Sequence, residues 1–227
     1  IVYDIYNDKA QNEHIAPAIN KLKSKKKDIE KVFDTSTQQN SLFDSTKNFV
    51  TINLNDVNIE MKKTIPMLVV KKLYEEQKEK YKQSHTSYLN IVVDEAHNIL
   101  SHNSNRESET WKDYRLETFE EIIKEGRKFG VFLTIASQRP SDISSTIISQ
   151  LHNYFLHRLI NNKDIEAVEK TISYLDKVSF EALPILPTGS CIFAGLAAQV
   201  PVMVDIGKIN EGYEPKSDTI KLTENWR

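Results

Sequence analysis

Apolar positions along the chain switch between a helical and a strand period, and the switches mark out its elements. Ile15, Ala18, Ile19 and Leu22 recur at helical spacing, and a lysine run (Lys21, Lys23, Lys25, Lys26, Lys27) leads on to Ile29, Val32 and Phe33. This predicts a polar helical hairpin over 1–34, with the lysines on a solvated face or, alternatively, facing nucleic acid. Residues 35–47 have loop composition. Phe49 to Leu54 alternates apolar and polar and predicts a strand ending in Asn55–Asp56. Val69, Val70, Leu73, Tyr74 and Tyr81 stripe a helix from Ile65 to Tyr81 whose outer face is charged. Then comes Leu89-Asn90-Ile91-Val92-Val93, a short β-branched run that stops at two carboxylates, Asp94 and Glu95. Such a run predicts a strand buried on both faces, as in parallel sheets. Strand, helix, strand predicts one right-handed βαβ unit.

The second half repeats the alternation. Residues 101–114 are polar and read as a loop. Leu116, Phe119, Ile122, Ile123 and Phe129 share a helical face, and Gly130 ends that helix. Val131 to Ala136 is a second short apolar strand, stopping at Ser137-Gln138-Arg139-Pro140. Asp142 or Ser144 would cap a helix holding Ile147, Ile148 and Leu151. Tyr154 to Ile160 reads as a strand with Arg158 embedded in it, and Asn161 to Asp164 opens a helix with Ile165, Val168 and Ile172. Two β-rich segments, Ser190–Ala194 and Val200–Ile206, flank Gly195–Ala198, and the tail from Gly207 is polar. The fold class these elements predict is α/β, a mostly parallel sheet flanked by helices.

Composition narrows the picture modestly. At 227 residues, 39% hydrophobic and 27% charged, the chain can hold one substantial α/β domain and an appendage. No apolar run approaches the roughly 20 residues of a membrane span. A single cysteine, Cys191, excludes an intrachain disulfide framework and suits a cytoplasmic setting. A net charge of −2 gives no global signal for nucleic acid, so any such role falls to local patches or to a ring of subunits. The chain opens on Ile1 rather than Met, which is read as the expectation of a piece of a longer protein.

The chemistry gathers where strands stop. Ligands of open α/β sheets sit at the carboxyl ends of strands, and there Asp94 and Glu95 have the form of a Walker B pair. The first acid of such a pair holds Mg²⁺ and the second polarises the attacking water. Gln138, at the end of the next strand, can reach a γ-phosphate or that water; the alternative is a turn residue before Pro140. Asn55–Asp56 is expected at the same edge. Arg127, in Glu125-Gly126-Arg127-Lys128-Phe129-Gly130, can serve as an arginine finger or simply complement a helix C-terminus. Arg158 within an apolar strand needs a partner or an edge. His97 and His102 lie near the acids, but no third ligand stands at metal-site spacing. All six glycines fall at or beyond Gly126, so no GxxxxGK[ST] phosphate loop precedes Asp94.

The order VVDEAHNIL, EGRKFGVFLTIASQRPSDISSTIISQLHNYFLHRLINNKDIEAV, LPTGSCIFAG and QVPVMVDI resembles the C-terminal half of HerA-type ATPases, of the HerA/FtsK group of hexameric DNA-pumping motors. The resemblance covers about residues 48–227 and implies a RecA/FtsK-like sheet without its P-loop strand. It implies ATP and Mg²⁺ as cofactors, with Asp94 on the metal through water, Glu95 as catalytic acid and Gln138 as sensor. It further implies Arg127 acting on the next subunit's nucleotide and Arg158 close to nucleotide. The segments would be a helical insertion and linker (1–47), the ATPase core (48–206) and a tail bracing neighbouring subunits (207–227). Partners implied are a homohexamer, double-stranded DNA, and a nuclease or Sir2-like defence effector. A rival is the two-lobed DEAH-box helicase, suggested by Asp94-Glu95-Ala96-His97; it lacks its later motifs here. A second rival is a non-catalytic ATPase-fold scaffold that docks an effector.

Overall fold

A computed structural model of the protein describes residues 12–30, 48–102, 109–210 and 213. The chain divides into two units, Ile1–Ile52 and Asn53–Arg227. In the first, α1 (Asn12–Glu30) forms over the predicted lysine-rich stretch, with Lys21, Lys23 and Lys26 exposed. The expected second arm of the hairpin and the loop at 35–47 lie outside the described residues. Phe49, Val50 and Ile52 form no strand and stand 84%, 42% and 51% exposed. A period-two pattern supplies side-chain alternation but not a ladder partner, and none pairs with it among the described residues. Among the described residues, the βαβ unit expected to begin there does not form.

The second unit begins with α2 (Ile59–Gln83), which starts six residues ahead of the predicted helix. Its true start is set by Asn58, whose Oδ1 accepts from the Met61 amide at 2.8 Å, and Pro66 sits inside the helix rather than at its head. The helix leads into β1 (Leu89–Val93), followed by the short α3 (His97–Leu100), α4 (Glu109–Glu125) and a 3₁₀ turn, Gly126–Phe129. Part of the predicted 101–114 loop is thus the first turn and a half of α4. Next is β2 (Val131–Ile135), parallel to β1 in the register Leu89↔Val131 to Val93↔Ile135. The crossover that parallel pairing demands is made by α3 and α4.

Helices α2 and α4 cover one face of this pair. Met67, Val70 and Tyr74 of α2, Leu116, Phe119 and Ile122 of α4, and Ile91, Val93 and Val131 of the strands form one buried cluster. The other face is open: Val92 is 67% exposed and Phe132 45%. The expectation of burial on both faces is corrected here. A continuous apolar run allows two covered faces, but within this unit the helices supply cover for only one.

Beyond β2 lie α5 (Ser145–Gln150), β3 (Asn153–Leu156), α6 (Asn162–Thr171), α7 (Lys177–Ala182), β4 (Ser190–Gly195) and β5 (Ala198–Asp205). These last three strands form a separate antiparallel sheet, β3–β4–β5. The mostly parallel sheet is thus corrected to a mixed α/β fold with one parallel pair and a three-stranded antiparallel sheet. The reason is local: only Leu196 and Ala197 separate β4 from β5, and so short a connection can join strands only as a hairpin. The β3 strand also stops at Leu156, so Arg158 is not embedded in a strand but exposed on the following loop. That relieves the burial cost the apolar run had implied. Among the described residues, no helix is long and apolar enough to cross a membrane.

Candidate active site

The carboxyl ends of β1 and β2 carry the predicted acids and the predicted amide side by side. Beyond the ladder the two chains stay locked: the Ala136 amide donates to Val93 O and the Ala96 amide to Ala136 O, each at 2.9 Å. Between those bonds the backbone bends sharply. Glu95 adopts φ of +47°, a left-handed conformation that costs a non-glycine residue energy and clusters at functional sites. The Glu95 amide is held by Asp94 Oδ1 at 2.9 Å. The kink leaves Asp94 exposed and turns Glu95 toward the neighbouring strand end.

There Gln138 Nε2 donates to Glu95 Oε1 at 2.9 Å, across 43 residues of sequence. Glu95 Oε2 is buried and makes no hydrogen bond, facing His97 Nδ1 at 3.3 Å. The same His97 nitrogen lies 3.2 Å from Ser137 Oγ, which in turn accepts from the Arg139 amide at 3.0 Å. The carboxylate is thus bonded on one side by Gln138 and faced on the other by the His97 ring. His97 belongs to this site as an acid-facing ring, and Ser137 as its partner. Sequence reasoning assigned neither role. The one available signal was the spacing of His97, two residues past the acid at the head of a helix.

The arrangement suits one half of a nucleotide site. An orphaned buried carboxylate oxygen and an exposed aspartate beside it fit a water molecule and a divalent ion respectively. Mg²⁺ typically needs only one or two protein carboxylates, with water and phosphate completing its shell. Among the described residues, no cluster of three or more metal-ligating side chains stands together. The phosphate-cradling half is not supplied by any glycine before Asp94.

The other predicted residues lie elsewhere. Asn55 and Asp56 sit in the turn before α2, where the Asn55 amide bonds Asn53 Oδ1 at 2.9 Å; they do not end a strand of the acid-bearing pair. Arg127 is exposed in the 3₁₀ turn before β2. That is the amino edge of the parallel pair, so a five-residue strand, roughly 16 Å, separates it from Glu95. Two glycines frame the turn. A Cβ on Gly126 would meet Val131 O at 2.8 Å, and Gly130, with φ of +66°, would bring one to 2.9 Å of Ser87 O. Arg158 is exposed in the loop between β3 and α6. Arg127 and Arg158 are therefore presented outward and are not brought to Glu95 within the chain.

The fold is in part like that of VirB4 of Thermoanaerobacter pseudethanolicus, which superposes with a TM-score of 0.54 at 15% identity, over 69% of this chain and 40% of that one. The sequence then specifies the relationship. Over about 60% of its length the chain is homologous to HerA-type helicases. It is 36% identical over 137 residues to the DNA double-strand break repair helicase HerA of Sulfurisphaera tokodaii, covering 60% of this chain and 26% of that protein. Identity to HerA of Pyrococcus furiosus is 30% over 121 residues, covering 53% of this chain and 21% of that protein. The chain spans about a quarter of the length of these relatives. No family model matches it.

Proposed function

We propose that this chain supplies the acid-and-sensor portion of an ATP-hydrolysing, HerA-type DNA motor. The observation that carries the reading is the Gln138–Glu95 hydrogen bond, made at a strained acid on the carboxyl edge of a parallel strand pair. In this reading Glu95 takes a proton from the water that attacks the γ-phosphate. Gln138, bonded to Glu95 Oε1, aligns that water and senses the phosphate. His97 sets the orientation of the second carboxylate oxygen. Asp94 would hold Mg²⁺ through water, and the ion would supply charge neutralisation for the nucleotide. Arg127, too far from Glu95 in its own chain, acts on a neighbouring subunit's nucleotide, and the exposed Arg158 also serves a nucleotide. The phosphate loop is contributed from outside this chain, and the assembled ring, a hexamer, moves duplex DNA. A nuclease or a Sir2-like defence effector is the partner class this reading favours.

The test is Glu95→Gln in the full-length gene product. The substitution keeps size and hydrogen bonding while removing the base, and a drop of roughly 10²–10⁴-fold in ATP turnover is expected with nucleotide binding retained. Unchanged turnover would remove the hydrolytic reading. A second reading draws on the absence of any glycine before Gly126: an ATPase-fold scaffold that docks an effector without hydrolysis. It predicts that biological activity survives Glu95→Gln.

A further inference from the structure

The segment that aims Gln138 runs from Ala136 to Ser144, and its two ends are tied by the Ala136 amide to Val93 O at 2.9 Å and by the Ser144 amide to Leu100 O at 3.1 Å. The Arg139 amide turns back to Ser137 Oγ at 3.0 Å, and Pro140 has no amide hydrogen. The Asp142 amide reaches Arg139 O at 3.2 Å and the Ile143 amide Pro140 O at 3.1 Å. The Arg139, Asp142 and Ile143 bonds close within the loop, so they shape it without fixing where it sits. Between the two tied ends, the Ser141 amide points out of the loop and bonds Asp164 Oδ1 at 3.0 Å, across 23 residues.

Asp164 is unusual for a carboxylate. It lies in the first turn of α6, is only 5% exposed, and its helix is already capped by Asn161, which accepts from the Lys163 amide at 3.0 Å. Its carboxylate is therefore not needed to begin the helix. Buried acids are rare unless they hold something, and a charged acceptor bonds an amide more strongly than a neutral one. We infer that Asp164 is a positioning residue for Gln138, anchoring the sensor loop to α6 through the Ser141 amide. Only Arg139 and Pro140 separate the sensor from the anchor, so slack at Ser141 passes directly to the Gln138 side chain and to its 2.9 Å bond with Glu95. The inference rests on the hydrolytic reading of Glu95 and Gln138.

The experiment uses the full-length protein with Asp164→Ala and Asp164→Asn, read in two ways. Hydrogen exchange at the Ser141 amide reports the anchor whether or not the protein hydrolyses ATP. Steady-state ATP hydrolysis, split into kcat and KM, reports positioning. In the unsubstituted protein the Ser141 amide is protected. Asp164→Ala speeds its exchange by about tenfold, the equivalent of one net hydrogen bond, while the Asp142 and Ile143 amides change little. The same variant lowers kcat by about tenfold with KM for ATP nearly constant, and Asp164→Asn, which keeps a carbonyl acceptor, recovers most of both. An unprotected Ser141 amide in the unsubstituted protein overturns the inference without any variant. So does an Asp164→Asn variant as impaired as Asp164→Ala, or a kcat loss matched by loss of folded protein. If Ser141 is protected but the unsubstituted protein hydrolyses no ATP, the functional reading fails and Asp164 is reduced to a contact of the fold.

Discussion

The two edges of the parallel pair β1–β2 are built from the same strands and treat their polar groups in opposite ways. At the carboxyl edge, side chains bind one another: Gln138 and His97 close on Glu95, Ser137 lies beside His97, and the backbone of Glu95 is held at φ of +47°. At the amino edge the backbone is bound and the charged side chain is left outside. Gln77, buried in α2, donates to Ser87 O at 2.7 Å and to Phe129 O at 3.3 Å, tying together the approaches to both strands. Gly126 and Gly130 pack tightly around the turn, and Arg127 projects from it. One edge assembles a chemical group inside the chain; the other fixes a turn rigidly and offers its arginine to something else. A surface cation contributes little to folding, which leaves the exposed Arg127 free for the role across a subunit boundary proposed above.

That contrast can be broken in order of expected effect. Arg127→Ala in the full-length protein is expected to lower ATP turnover by about 10³-fold or more, the scale of an arginine finger, with ATP binding and thermal stability nearly unchanged. Equal loss of assembly would make the arginine structural. Next is His97→Ala. It removes the ring nitrogen 3.3 Å from Glu95 Oε2 and should cost about tenfold in kcat, a positioning effect smaller than loss of the acid itself. A fall as large as that of Glu95→Gln would make the ring a proton carrier. The smallest effect on turnover per folded molecule is expected from Gly130→Ala. Its left-handed backbone and the 2.9 Å approach to Ser87 O should cost about 2 kcal/mol in denaturant unfolding while the surviving enzyme turns over normally. Arg127 and Gly130 thus separate chemistry from stability within one short turn.

Much of the carboxyl edge was legible in the sequence. An apolar run stopping at two acids and another stopping at Ser137-Gln138 give the strand ends directly, and the parallel pairing brings them together as the pattern required. What was not legible depends on partners rather than on pattern. Phe49 to Leu54 alternates well but has no neighbour to pair with among the described residues. His157 to Ile160 continues an apolar run without continuing the strand, because β3 ends opposite Ile192 of β4. The open face bearing Val92 and Phe132 and the bond from the Ser141 amide to Asp164 are tertiary facts that no local spacing encodes. The amino-edge position of Arg127 was implicit in its place before β2, yet its consequence, separation from Glu95, emerges only once the strand direction is known.

The most direct test of the central claim, that the two edges form one site across a subunit boundary, mixes subunits. Full-length Glu95→Gln and Arg127→Ala proteins, each nearly inactive alone, are combined before assembly and assayed for ATP hydrolysis. Interfaces that bring an intact Glu95 from one subunit against an intact Arg127 from the next should restore turnover well above either parent. A mixture no more active than its parents, although mixed rings form, would contradict the account.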